Sequence, residues 1–319
     1  MELRKAAAAV GALLVIGHLC LDSAEFPDPG TIIAHCAAVE LGVSRQVQEA
    51  PSPVPVTAVP VTPAPTPTPN VQEAVIAGGI RIDNATEYRI DTAQLLTEGP
   101  GITLAKGKPQ ILIIHTHSSE AYTMDDFDRY TPSDDSRTQD LRCNVIRVGD
   151  ELTEALRDHG LEVIHDREIY DYPSYTGSYT RTGEAIRQYL TKYPSLKVVI
   201  DLHRDAIGNG DVVYKTVAEG EGSACAQTMF VVGSNDSGLE HPNWRENLKL
   251  ALYLQSAVHG KHPTLQRPIK LVSERYNQQL TTGSLILEVG SNGNTLQEAL
   301  EAVRLFAEGA GPALAKLVE

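Results

Sequence analysis

The chain has 319 residues, and 42% of them are hydrophobic, which is enough for the core of one large domain or of two small ones. Its 41 acidic residues outnumber its 27 Lys and Arg residues, and the formal net charge is -14. Such a charge repels phosphate backbones unless a basic stripe offsets it, and the sequence has no such stripe, which excludes nucleic acid as a partner.

The first 24 residues are typical of an export signal or a membrane anchor. Arg4 and Lys5 precede an apolar run that continues to Leu21 and contains His18. A spanning helix needs about 20 apolar residues, and this run is shorter, so a retained anchor and a cleaved signal both fit. Either one predicts an extracytoplasmic protein, held at the cell membrane by a single N-terminal segment or secreted.

Residues 25–75 are predicted to form a disordered linker. Between residues 51 and 69, proline recurs at short intervals among Val, Thr, Ala and Ser, a composition that forms neither a helix nor a sheet ladder. In extended geometry this stretch spans about 60 Å. That length can hold a folded domain, predicted at residues 76–319, away from a membrane surface.

The predicted domain alternates apolar runs of strand length with segments of helical periodicity. This pattern predicts an α/β fold of three layers, in which a mostly parallel or mixed sheet is flanked by helices. Strands are predicted at residues 110–114, 161–164, 198–202, 228–232 and 284–289, and helices at residues 144–159, 181–193, 244–252 and 296–307. Ligands of open α/β sheets bind beyond the carboxyl ends of the strands, so polar residues that follow these strands are the candidates for a functional site.

Two predicted strand ends carry residues that could hold a metal ion. His117 and Glu120 follow the first strand three residues apart, and His203 follows the third strand. Zinc in hydrolases is commonly held by two histidines and one carboxylate, with a position left for water. The sequence therefore predicts a Zn²⁺ site formed by these three residues. His115 is an alternative ligand, or a residue that orients a ligand from behind.

Glu288, near the end of the last strand, is predicted to be the catalytic acid and base. An unpaired buried carboxylate is costly, so its place in an apolar strand indicates either this role or a buried ion pair with Arg204 or Arg275. Arg204 is a candidate for polarising a scissile carbonyl. Asp205 is a candidate for orienting an imidazole or for serving as an alternative ligand.

Polar loop segments flank the Glu288 strand. Arg275 and Asn277 precede it, and Asn292 and Asn294 follow it. These four residues are predicted to bind the amides of a peptide or sugar, although ordinary turns use the same residue types. Of the cysteines, two lie in the predicted domain, and export permits either a disulfide between them or two buried thiols.

Eight segments of the domain, in order, resemble the stage II sporulation protein P family. They include Pro109-Gln-Ile-Leu-Ile-Ile-His-Thr-His-Ser-Ser-Glu-Ala-Tyr122, Asp201-Leu-His-Arg-Asp-Ala206 and Leu287-Glu-Val-Gly-Ser-Asn-Gly-Asn-Thr295. The match runs from about Lys108 to Leu317. Agreement across many ordered segments is more specific than any single motif in this chain.

The resemblance implies a peptidoglycan hydrolase that is both an N-acetylmuramoyl-L-alanine amidase and an endopeptidase. It implies an N-terminal membrane segment, a role in engulfment during sporulation, and two partners, a lytic transglycosylase and a membrane protein. It also implies a catalytic domain similar to the zinc-dependent cell-wall amidases, with two histidines and a glutamate on the metal and a further catalytic glutamate. In this sequence those roles correspond to His117 or His115, Glu120, His203 and Glu288.

The spacing of Glu120 leaves a second reading of the reaction. In the wider amidase group the ligand glutamate lies further from the first histidine, whereas His-x-x-Glu is the ligand pair of zinc carboxypeptidases. The alternatives are therefore a zinc carboxypeptidase that trims stem peptides and, in a different class, a non-catalytic scaffold that binds the cell wall. A degenerate scaffold is expected to lose at least one of His117, His203 and Glu288, and all three are present.

Overall fold

A seven-stranded mixed sheet organises the computed structural model, which describes residues 79–209, 212–219 and 225–319. The predicted anchor and linker lie outside the described residues. The strands are β1 (Ile82–Asn84), β2 (Ile111–Ile114), β3 (Val163–His165), β4 (Val198–Asp205), β5 (Thr228–Gly233), β6 (Ile269–Val272) and β7 (Ser284–Ser291). The helices are α1 (Thr92–Glu98), α2 (Val145–Arg157), α3 (Ser178–Lys192), α4 (Trp244–Lys261) and α5 (Leu296–Ala315), with a 3₁₀ turn at Gln278–Leu280.

The strand order is β1-β6-β5-β7-β4-β2-β3, and every neighbouring pair is parallel except β5 and β7. The three-layer α/β prediction with a mixed sheet is confirmed. The predicted elements are all present, but α4 and α5 continue nine and eight residues beyond their predicted ends, to Lys261 and Ala315. The sequence reading missed β1, α1 and β6, because runs of three to seven residues carry too little periodicity to stand out from a loop.

The two faces of the sheet are covered differently. Helices α2, α4 and α5 pack on one face and bury the large core, to which Ile113, Leu202 and Phe306 belong. Helix α3 covers the β2 and β4 side of the other face through Ile186 and Ile114. Successive residues of a strand point to opposite faces. The strand residues that lie between members of the large core therefore point toward the α3 side.

The carboxyl ends of β2, β4 and β7 lie side by side in the sheet. In the register of β4 with β7, His203 is opposite Glu288. Because β5 is antiparallel to β7, it starts at this same edge, where Met229 is opposite Glu288. The topology therefore gathers residues that are far apart in sequence at one edge. None of the helices in the described ranges is long and apolar enough to cross a membrane.

Candidate active site

The α3 side of the sheet carries a line of ionisable residues at the carboxyl edge. Asp201 and His203 are two residues apart on β4, so both point to this face, and Glu288 of β7 stands beside His203. Asp201 is buried and tied to the end of β2, where Thr116 donates to it from its backbone N–H (2.7 Å) and from its hydroxyl (2.6 Å). These bonds connect the ends of β2 and β4.

The segment after β2 turns sharply and brings His117 and Glu120 to the same edge. The Glu120 N–H donates to the His117 carbonyl at 3.1 Å. Asp171 holds the turn from outside, because it accepts from the backbone N–H of Ser119 at 3.0 Å and from its hydroxyl at 2.7 Å. The turn is therefore fixed by a buried carboxylate, and the direction of Glu120 is set with it.

Glu120 is a buried carboxylate surrounded by positive groups. Its Oε2 atom accepts from the backbone N–H of Arg204 at 3.1 Å, and its Oε1 atom lies 3.6 Å from Nη2 of Arg137. Burial disfavours the charged form, but Arg204 and His203 together hold the pKa of Glu120 well below its usual range. Glu120 is therefore ionised, which is the form that a metal ligand requires.

The ring of His203 lies between two carboxylates. Its Nδ1 atom is 3.5 Å from Oε2 of Glu120, and its Nε2 atom is 2.9 Å from Oδ1 of Asp201. The Nε2 contact is at ion-pair distance but is not aligned for a hydrogen bond. Burial disfavours a charged ring, yet the charges of Asp201 and Glu120 raise the pKa of His203 well above its usual value.

His117 is enclosed by aromatic rings. Its ring stacks on Tyr175 with centroids 4.4 Å apart and meets the ring of Tyr179 edge-on at 5.4 Å. The Tyr175 hydroxyl lies 3.0 Å from Nε2, and Oγ of Ser178 lies 3.4 Å from Nδ1. Burial lowers the pKa of His117 to about 3, so its ring is neutral, as metal binding requires.

Glu288 differs from Glu120 in having its Oε2 atom buried without a hydrogen-bond partner in the described residues. Burial raises the pKa of the Glu288 carboxyl to about 8; the Glu120 charge adds to the rise, and His203 opposes it. The alternative interpretation of Glu288 required a buried ion pair with Arg204 or Arg275. Neither arginine forms such a pair with Glu288 in the described residues. A carboxyl with a pKa near neutrality can both accept and donate a proton, which suits general acid and base catalysis.

The side chains at this edge, two imidazoles and a carboxylate, are of the types that zinc prefers. Within the described ranges, no three His, Cys, Asp or Glu side chains already surround one point at metal-binding distance. The 3.5 Å between Nδ1 of His203 and Oε2 of Glu120 nevertheless matches the separation of about 3.4 Å between two ligands of a tetrahedral zinc ion. The ring of His117 lies 5.2 Å from that of His203, centroid to centroid. The structure therefore brings the three predicted ligands together, and their role as ligands stays a prediction.

His115 lies on the opposite face of the sheet. Its Nδ1 atom is 2.9 Å from the Leu202 carbonyl, and its Nε2 atom is 2.8 Å from Nε2 of His165. Helix α2 covers this pair at Gly149, where an added Cβ would come within 2.6 Å of both rings. These contacts place His115 in a packed histidine pair, away from Glu120 and His203.

The two residues that follow His203 are used within the protein. Arg204 is buried, and its guanidinium donates to the carbonyls of Ala121 and Ser136, each at 2.8 Å. Asp205 pairs with Arg267 at 2.7 Å instead of with the His203 ring. Arg204 therefore supports the Glu120 turn, and Asp205 supports the neighbouring loop. The substrate-polarising role of Arg204 and the imidazole-orienting role of Asp205 stay predictions.

The four predicted substrate-binding residues bond to other segments of the protein that are distant in sequence. Arg275 donates to the Glu240 carbonyl at 3.1 Å, and Asn277 donates to the Tyr179 carbonyl at 2.7 Å. The Asn292 side chain accepts from the Ile207 N–H at 3.1 Å. Asn294 is fully buried and bonds to Thr216, Ser291 and Glu298. Their role toward a substrate stays a prediction, and Asn294 is the least accessible of them.

We expect Asn294→Ala to lower the free energy of unfolding rather than to weaken substrate binding. The change leaves the N–H groups of Thr216 and Ser291 buried without their acceptor, which costs about 1–3 kcal/mol. Urea unfolding of the variant and of the unchanged protein measures this loss. Unchanged stability together with a raised KM would instead give Asn294 the substrate-binding role.

Sequence reasoning missed several residues of the site. Asp201 could have been found, because a charged residue two positions before His203 in a buried strand must share its face. Arg137, Asp171 and Tyr175 lie in loops, and only the folded chain brings them to Glu120 and His117.

The sequence left open whether the two cysteines of the domain form a disulfide. Cys143 is a buried thiol and is not bonded to Cys225.

The fold and this edge define an α/β protein whose buried histidines and carboxylates are suited to acid and base chemistry. Residues 64–310 match the family described as Stage II sporulation protein P (SpoIIP), and the chain belongs to that family. Stage II sporulation protein P of Bacillus subtilis (strain 168) is 29% identical over 212 residues, which cover 63% of this chain and 50% of that protein. The chain thus aligns with about half the length of that relative.

Two solved structures that resemble the chain in outline are N-acetylmuramoyl-L-alanine amidases. The N-acetylmuramoyl-L-alanine amidase AmiC2 of Nostoc punctiforme superposes with a TM-score of 0.38 and 13% identity, covering 66% of this chain and 97% of that one. The N-acetylmuramoyl-L-alanine amidase from Clostridium difficile 630 gives 0.38 and 14%, with the same coverage of 66% and 97%. At these values the chains are similar in outline only.

Proposed function

We propose that this protein hydrolyses bacterial peptidoglycan during sporulation and cleaves the amide bond between N-acetylmuramic acid and L-alanine. The observation that carries the proposal is the convergence of His117, Glu120, His203 and Glu288 at one edge of the sheet. Membership of the Stage II sporulation protein P family supports the sporulation context.

Zinc is the proposed cofactor, held by His117, Glu120 and His203. When bound, zinc lowers the pKa of water to about 7 and polarises carbonyl oxygens. Two ligand residues already have the required protonation state, because His117 is neutral and Glu120 is ionised. Arg137 and Arg204 keep the Glu120 carboxylate in place through its two oxygens.

Glu288 is the proposed general base and acid. Its carboxyl would accept the proton of the attacking water at Oε2, which is buried without a hydrogen-bond partner among the described residues, and return it to the nitrogen of the leaving L-alanine. The pKa of about 8 in the metal-free protein suits the return of the proton, and the positive charge of a bound zinc ion would lower this pKa and favour the ionised form that accepts it. His203 stands beside Glu288 in the register and opposes a further rise of its pKa.

Mass spectrometry of digested cell wall tests the proposed bond. We expect the full chain, supplied with zinc, to release intact stem peptides and to leave muramic acid with its lactyl group. Release of single residues from the stem would favour the zinc carboxypeptidase, which the His-x-x-Glu spacing of His117 and Glu120 supports. Cleaved cross-links would add endopeptidase activity. Wall binding without any product, by protein that takes up no zinc when zinc is supplied, would favour the non-catalytic scaffold.

The cellular setting is part of the same proposal. The apolar N-terminal run and the proline-rich stretch support an extracytoplasmic protein, tethered to the cell membrane by one segment or secreted after cleavage. A lytic transglycosylase and a membrane protein of the engulfment machinery are the proposed partners. Protease protection of intact cells, compared with permeabilised cells, tests the location, because an extracytoplasmic domain is digested in both.

A further inference from the structure

A well-held surface segment presents Tyr175 to His117. Residues 171–178 connect the region after β3 to the start of α3, and Asp171 anchors one end through Ser119 and Arg137. Arg181 anchors the other end by donating to the carbonyls of Ser174 and Thr176. Tyr175 is therefore fixed although 48% of its surface is exposed. The guanidinium of Arg137 also lies 4.9 Å from the centroid of its ring.

The two predicted histidine ligands use their ring nitrogens in the same way. In each ring, Nε2 lies beside an oxygen of the protein: the Tyr175 hydroxyl at 3.0 Å from His117, and Asp201 Oδ1 at 2.9 Å from His203. The Nδ1 atom of His203 faces Glu120. Among the described residues, the Nδ1 atom of His117 has a longer contact of 3.4 Å with the hydroxyl of Ser178.

A metal-binding histidine generally donates its other ring N–H to an oxygen, which selects the tautomer and fixes the ring. We propose that Tyr175 is a positioning residue of the zinc site, whose hydroxyl accepts the Nε2 proton of His117 and leaves Nδ1 as the atom that binds the ion. Asp201 Oδ1 lies beside Nε2 of His203 at 2.9 Å, at ion-pair distance rather than in an aligned hydrogen bond. This inference rests on the zinc site of the proposed function and assigns it a residue that does not touch the substrate.

The chain offers a matched pair of variants to test the role of Tyr175. Tyr175→Phe removes the hydroxyl and keeps the ring that stacks on His117. Tyr172→Phe removes a hydroxyl from the same segment, at a residue that is 49% exposed. Zinc affinity of the full chain is measured by competition with a chromophoric chelator, and thermal unfolding of the metal-free proteins reports folding.

We expect Tyr175→Phe to weaken zinc binding by about 10–100-fold, the usual effect of losing such a supporting contact. Its unfolding without metal is expected to stay cooperative, with only the small decrease in unfolding temperature that loss of one hydrogen bond causes, and Tyr172→Phe is expected to keep full zinc affinity. Unchanged zinc binding by Tyr175→Phe would overturn the inference and leave the proposed function standing. Tighter binding would also overturn it, since Tyr175 would then compete with the ion. Absence of zinc binding by the unchanged protein would overturn both.

Discussion

Glu288→Gln is expected to remove wall hydrolysis, with kcat lowered by about 10²–10⁴-fold, while zinc remains bound. Glutamine has nearly the shape of the carboxyl group but cannot accept the proton of the attacking water. His117, Glu120 and His203 are unchanged, so the affinity for zinc is expected to stay within a few-fold. Turnover of labelled cell wall and zinc stoichiometry of the same preparation measure the two effects. Full activity of the variant would contradict the proposed role of Glu288.

The same variant is expected to be more stable than the unchanged protein at pH 8 when metal is absent. The pKa of Glu288 is about 8 in the folded protein, against 4.5 for a free glutamate, so the folded state holds the proton more tightly. Its contribution to stability is complete below pH 4.5 and is lost as the pH rises toward 8. Glutamine does not titrate, so the difference between the two proteins grows across this window.

Urea unfolding of metal-free protein at pH 5 and at pH 8 checks this pH dependence. Glu154→Gln, at an exposed position of α2, is the matched control and is expected to follow the unchanged protein at both pH values. Equal stability of Glu288→Gln and the unchanged protein at pH 8 would mean that the buried carboxyl has a partner. The cost of Glu288 in the folded state is consistent with a role in catalysis, because active sites commonly retain destabilising groups.

His117→Ala and His115→Ala are expected to affect different properties, zinc affinity and stability respectively. His117→Ala removes a proposed ligand, and we expect zinc affinity to fall by more than about 100-fold, beyond the loss of a supporting contact. His115→Ala leaves the Leu202 carbonyl and His165 without their partner on the other face of the sheet. We expect it to lower the free energy of unfolding by about 1–3 kcal/mol while the metal-loaded protein keeps its activity.

Zinc titration and urea unfolding of both variants separate these expectations. His165→Ala serves as the control, since it breaks the same pair from its other member and is expected to resemble His115→Ala. Retention of zinc by His117→Ala together with loss of zinc by His115→Ala would reverse the assignment. In that case the ends of β2 and β4 would have to rearrange on metal binding, because His115 lies on the α2 side of the sheet.

Much of the fold could be predicted because its main elements carry local patterns. The buried run of β2 and the apolar stripe of α2 are each visible within a short window, and the polar residues after β2, β4 and β7 mark the functional edge. Helix α5 begins at a capping box of Thr295 and Glu298, which is also a local signal. The short strands β1 and β6 are too short to show such a pattern. Their stability comes from pairing with neighbouring strands, which a local window of sequence does not show.

The supporting residues of the site could not be predicted to the same degree. Arg137 reaches Glu120 and Asp171 from a loop, and Asp171 reaches Ser119 across 52 residues of sequence. Contacts of this kind depend on the paths of loops over the sheet edge. The periodicity of apolar residues in the sequence does not reveal these paths. Adjacency to His203 also did not reveal that Arg204 bonds to two backbone carbonyls and that Asp205 pairs with Arg267.

The sequence by itself determined that His115, His117 and His203 follow buried strands and that Glu288 interrupts an apolar one. Alternation along a strand is local, so this information survives without a structure. Only the tertiary structure decided between His115 and His117. His115 continues the alternation of β2 and meets His165 under α2, whereas the turn held by Asp171 carries His117 to the other face, beside His203. The physical reason is that the path of the chain after a strand depends on hydrogen bonds to residues distant in sequence, such as those of Asp171 to Ser119.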